Sequence, residues 1–156
     1  MAKLRASLLD VEQAREAYPL VRHKARVSVE QWIGFCAYLG SCGGGVLAVR
    51  AETGQIHGIA AYLPTQSLRL GRALRVEVFV AFEMWPAFAV RDRLLTALDD
   101  IAEQLDCATL MLNLDVRGLV DNKARKIRDW QDNGLLPSSI EFVRHAGSSV
   151  SASRSD

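Results

Sequence analysis

The chain lacks most of what would mark an exported, membrane-bound or charge-driven protein. Its three cysteines, Cys36, Cys42 and Cys107, are an odd number without paired spacings; a disulfide framework needs an even set and an oxidising compartment. The stretch from Met1 to Asp10 has no apolar core of a secretory leader, so a cytoplasmic, reduced location is the simplest expectation. Charge of one sign is missing too. Lys and Arg total 19 against 18 Asp and Glu, a net charge of +1, which gives no global attraction to nucleic acid or anionic lipid. Gln31 to Val49 is uncharged over a length that suits a spanning helix, but it holds five glycines together with Gln31, Ser41 and Cys42. A helix, a glycine turn and a buried strand explain it better.

What is present is an ordinary core-forming composition, 49% apolar and 24% charged. A chain near 150 residues buries roughly 70% of its unfolded surface, enough for one domain. We expect that domain over residues 1–146 and a flexible Ser-rich tail over 147–156. The net charge is near zero, so any anion site is local, made by a helix terminus and a few of the fifteen arginines.

Periodicity orders the elements. Asp10 suits an N-cap for a helix through Val11, Ala14, Ala17 and Tyr18, with Pro19 disturbing its end. Ser28-Val29-Glu30-Gln31 reads as a capping box before Trp32, Phe35, Cys36 and Leu39 on one face, with the helix ending at Gly40. Val46–Glu52 and Ile56–Leu63 read as a hairpin turning at Thr53-Gly54, and Pro64 to Gly71 as a loop. Arg75–Phe82 is a third strand, whose alternation sets Val76, Val78, Val80 and Phe82 against Glu77, Phe79 and Ala81. Val90, Leu94, Leu98, Ile101 and Leu105 share one helix face. Thr109–Leu114 is a buried strand, a basic helix runs from about Leu119 to Asp132 with Asn133-Gly134 as C-cap, and Ile140–Arg144 suits a last strand. The order α-α-β-β-β-α-β-α-β gives an α/β (α+β) three-layer sandwich with a central mixed sheet.

This order, with Leu94 to Asn113 as helix and following strand and Asp129 to Leu135 as a late helix end, resembles the GNAT acetyltransferase superfamily over residues 8–145. The resemblance implies a splayed sheet holding acetyl-CoA or another acyl-CoA between Arg75–Phe82 and Thr109–Leu114. It implies that backbone groups at Phe79, Val80 and Ala81 bind the pantetheine and polarise the thioester, with Asn113 on the neighbouring strand also at the cofactor. A small-molecule or protein amine would then attack the thioester directly.

Two places depart from the family pattern. Where the family has a glycine-rich diphosphate loop, this chain has Pro86-Ala87-Phe88-Ala89-Val90-Arg91. Ala89 stands for the first glycine and Arg91 for the last small residue, so Arg91 or Arg93 would have to supply phosphate charge. Trp130 stands where many members have a proton-donating Tyr, and an indole N–H does not serve that purpose.

Glu77 is the first candidate for general base and Glu83, at the strand end, the second; a strand-face polar residue paired with an Arg is the plain alternative for Glu77. His57 sits among apolar neighbours and reads as a packed histidine. Cys42-Gly43-Gly44-Gly45 lacks the Gly-Lys-Ser/Thr end of a phosphate loop. The basic run Arg117, Lys123, Arg125, Lys126 and Arg128 reads as a solvated helix face. No His, Cys or carboxylate set has metal-site spacing, so no metal is expected. The expected function is acyl-CoA-dependent N-acylation of an amine. The alternatives are a non-catalytic binding or regulatory protein on the same fold, or a transferase using a carrier-linked donor. No nucleic-acid or membrane partner is expected, and a homodimer is compatible with the sequence.

Overall fold

The computed structural model describes residues 3–84, 89–115 and 123–147. The chain divides into two compact units, Met1–Leu114 and Asp115–Asp156.

In the first unit, strand β1 (Arg5–Leu9) leads into helix α1 (Val11–Ala14), a 3-10 turn (Arg15–Ala17), α2 (Tyr18–Lys24) and α3 (Val29–Ser41). There follow β2 (Gly45–Arg50), β3 (Ile56–Ser67), β4 (Gly71–Ala81), α4 (Ala89–Gln104) and β5 (Thr109–Leu112). The capping residues act as expected. Asp10 and Ser28 each accept the N–H of the third residue on, while Gln13 and Gln31 return the bond to the cap. Pro19 opens α2 instead of ending the helix before it, because the first turn has no N–H bond for Pro to forfeit.

The five strands pair in sequence order, antiparallel from β1 to β4 and parallel between β4 and β5. One face carries α1 to α3 over Val46, Ala48, Ile59, Ala61 and Val80. The other carries α4, whose Val90, Leu94, Leu98 and Ile101 pack on Leu47, Val49, Ala60, Leu74 and Val76. The indole N–H of the buried Trp32 donates to Ala14 O at 2.7 Å, tying α3 to α1. Loss of one partner from such a buried bond costs about 1–3 kcal/mol. This α+β sandwich with a mixed sheet is the expected architecture.

Four local expectations are corrected. Arg5–Leu9 forms a strand, unforeseen because its ladder is to Val46–Arg50, far along the chain. Pro64 lies inside β3, paired with Leu74, not in a loop. It is tolerated because β2 ends at Gly45 opposite Tyr62, leaving Pro64 on an edge stretch of β3 where its missing N–H breaks no ladder to β2. The alternation along β4 is broken at Glu77. Ala61 pairs with Val78 but Tyr62 with Val76, so Glu77 is the extra residue of a β-bulge. Val76 therefore faces α4, whereas Val78 and Val80 face α1 to α3. Finally, Ile140–Arg144 forms no strand: the segment has no ladder partner among the described residues, and Ile140, Phe142 and Val143 are 80%, 94% and 89% exposed.

In the second unit, α5 (Lys123–Gln131) ends where Gly134 N–H caps Gln131 O, Gly134 taking φ +79°. Arg117, the start of the expected basic helix at 119–122, and residues 148–156 lie outside the described residues.

Candidate functional site

The sheet opens at one place. β5 pairs with β4 only from Ala73↔Thr109 to Val76↔Leu112, and Asn113 N–H donates to Val76 O at 3.0 Å as the last bond of that ladder. Among the described residues, β4 has no ladder on this side from Glu77 to Ala81. Its other edge stays paired with β3, and Phe82 N–H donates to His57 O at 2.7 Å. Strand alternation then turns the backbone groups of Val80 and Val78 toward β3, and those of Phe79 and Ala81 toward the open edge. The result is a fork between two parallel strands.

Glu77, the bulged residue, stands where the fork begins. Its carboxylate takes the Arg75 guanidinium on Oε1 and the Asn113 amide, at 3.4 Å, on Oε2. All three side chains thus meet at the point of divergence. Arg75 was not singled out from the sequence, although an Arg two residues before an acid on a strand is the pattern such a same-face pair leaves. Tyr38, exposed on α3, was missed as well. Its phenol is pushed up, first by hydrogen bonding to the Cys42 side chain and by that group's charge, then by desolvation, and last by the Glu77 carboxylate.

Glu83 does something different. Its Oε2 accepts Val90 N–H at 3.1 Å and its Oε1 accepts Arg91 N–H at 2.7 Å. The acid expected as a second base is the anion on the α4 N-terminus. Ala89 is the first residue of that helix, half-buried; Val90 is fully buried in the α4 core; Arg93 is exposed. The Arg91 Nε lies 3.7 Å from Asp92 Oδ1. Ala87 and Phe88, with Trp85 and Pro86, lie outside the described residues.

Past the fork, the exposed Phe82 ring meets His23 of α2 with centroids 5.3 Å apart. His23 also lines a surface depression of about 450 Å³ with Tyr18, Pro19 and Arg22. His57 is buried on β3, as its apolar neighbours suggest. Cys36 and Cys107 are buried free thiols, and burial pushes the Cys36 thiol up to about 11. Trp130 is half-buried in the second unit. Among the described residues no three His, Cys, Asp or Glu side chains gather as a metal site, and no helix is long and apolar enough to cross a membrane.

A mixed five-stranded sheet that opens between β4 and β5, with α1 to α3 on one face and α4 on the other, is the fold of the GNAT N-acetyltransferases. Solved structures of that class superpose on nearly the whole chain. An aminoglycoside N-acetyltransferase in complex with CoA matches with a TM-score of 0.74 at 10% identity, covering 94% of this chain and 97% of its own. Glucosamine-6-phosphate N-acetyltransferase from Arabidopsis thaliana gives 0.68 at 14% identity, covering 92% and 99%. Ribosomal-protein-alanine N-acetyltransferase from Brucella melitensis gives 0.67 at 19%, covering 93% and 100%. At these identities the likeness is one of fold. No protein-family model and no curated protein sequence matches the chain.

Proposed function

We propose that this chain transfers an acyl group, acetyl in the simplest case, from an acyl-CoA or other pantetheine thioester to an amine. The observation that carries the reading is the fork itself, with Glu77 held at its start between Arg75 and Asn113. A thioester in the fork would supply an electrophilic carbonyl and a sulfur leaving group. Ala81 directs its backbone N–H to the open edge, where an amide suits a developing oxyanion.

Glu77 has the residue type and position for a general base. A carboxylate offers about four lone-pair sites, so the bonds to Arg75 and Asn113 fix it without exhausting it. As the amine nitrogen bonds the acyl carbon and the C–S bond breaks, Glu77 or a water takes the amine proton, and solvent returns a proton to sulfur. Trp130 has no acid to offer, so protonation from solvent fits this chain. The depression beside Phe82, lined by Arg22 and His23, adjoins the end of the open edge and suits the acceptor.

Glu83 favours a second reading. Its place on the α4 N-terminus fits either a non-catalytic binding or regulatory protein on this fold or a transferase whose donor is carrier-linked. Calorimetric titration with acetyl-CoA and acetyl-pantetheine, followed by thiol release in the presence of an amine panel, tests these readings. Binding with amine-dependent thiol release is expected. No binding of either donor at millimolar concentration rejects acyl transfer, and binding without turnover supports the non-catalytic protein.

A further inference from the structure

We infer that Glu83 sets the donor preference of the fork: its carboxylate holds the α4 N-terminus against a diphosphate, so the chain selects donors by their pantetheine arm. This rests on the acyl-transfer reading above. The open edge of β4 runs from Glu77 to Ala81, and the chain beyond it leads to the first turn of α4. A donor with its thioester beside Glu77 and its arm along that edge brings any anionic tail toward this turn. An uncapped helix N-terminus would receive such a tail with its first N–H groups.

Here two of those groups are engaged. Both carboxylate oxygens of Glu83 are used, one on Val90 N–H and one on Arg91 N–H. An arriving diphosphate meets negative charge instead of donors, and must break two charge-assisted hydrogen bonds to replace it. The helix start cannot easily retreat to make room. Val90 is fully buried, and its Cγ1 would lie 2.5 Å from a Cβ placed on Gly58 of β3, so helix and sheet are in close contact there. Residues 82–93 contain no glycine, the residue that lets backbone approach a phosphate closely. The Arg91 guanidinium, the nearest cation in sequence, lies beside Asp92.

The test is a binding ratio. Acetyl-CoA and acetyl-pantetheine are titrated by calorimetry into the full chain and into Glu83→Ala, with Glu83→Gln as the milder variant should the first misfold. The wild-type chain is expected to bind the two donors within about threefold of each other, and Glu83→Ala to shift the ratio toward acetyl-CoA by about tenfold or more. Glu83→Gln shifts it the same way by less. A cap with only a structural role would weaken both donors together and leave the ratio unchanged, and that result overturns the inference. So does a wild-type preference for acetyl-CoA of about tenfold or more. If acetyl-pantetheine binds but the ratio ignores Glu83, the inference alone falls. If neither donor binds either protein, the acyl-transfer reading falls with it.

Discussion

Gly58 lies directly beneath Val90. A Cβ on Gly58 would stand 2.5 Å from Val90 Cγ1, 3.0 Å from Leu94 Cδ1 and 3.2 Å from the backbone oxygen of Val80. Helix α4 therefore approaches the sheet at a distance that only a missing side chain permits. Gly58→Ala is expected to destabilise the chain by about 1–3 kcal/mol, the range for overpacking a filled core. Denaturant midpoints measure it. Val90→Ala in the Gly58→Ala background should recover part of the loss, a coupling that a double-mutant cycle reads directly.

The Glu77 clamp yields a second expectation. Under the acyl-transfer reading, Glu77→Gln should lower kcat by about 10²–10⁴-fold, the usual contribution of a positioned base. The melting temperature should move little, because the side chain is only half-buried and its ion pair with Arg75 is partly solvated. Steady-state kinetics beside a thermal melt make the comparison. A kcat within about twofold of wild type would remove Glu77 from the chemistry.

Alkaline pH supplies a third. Burial raises the Cys36 thiol from 9.0 to about 11, so the folded chain favours its neutral form. The folded-state value is the higher one. The stabilisation is therefore complete below pH 9 and lost as pH rises toward about 11. Denaturation at a series of pH values should show stability falling across that window, and Cys36→Ala should flatten the fall. In native protein at pH 8, iodoacetamide should spare Cys36 and modify it only after unfolding.

Local signals made some elements legible in the sequence. Asp10 and Ser28 were readable as caps because a capping box spans only four residues, and the α4 stripe because its period needs no partner. What stayed hidden depends on contacts distant in sequence. The strand Arg5–Leu9 forms against Val46–Arg50, far along the chain. Ile140 to Arg144 has strand composition, but propensity without a ladder partner makes no strand. At the site, Glu77 was legible as an acid on the right strand, but its bulge was not, since a bulge is a mismatch of register with β3. Glu83 was visible as a carboxylate beside the loop. Its bonds to Val90 and Arg91 reach seven and eight residues along the chain, and residue type alone does not report them.

The bulge has one more consequence. Side chains along β4 are in one phase up to Val76 and in the opposite phase from Val78 onward. Glu77 is the beat at which the count restarts. Deleting that single residue would place Val78 directly after Val76, on opposite faces as they already are, so both cores would keep their partners while the bulge and its carboxylate were lost. Before the bulge the strand pairs with both β3 and β5, and beyond it, among the described residues, with β3 alone. One unmatched residue separates the two arrangements.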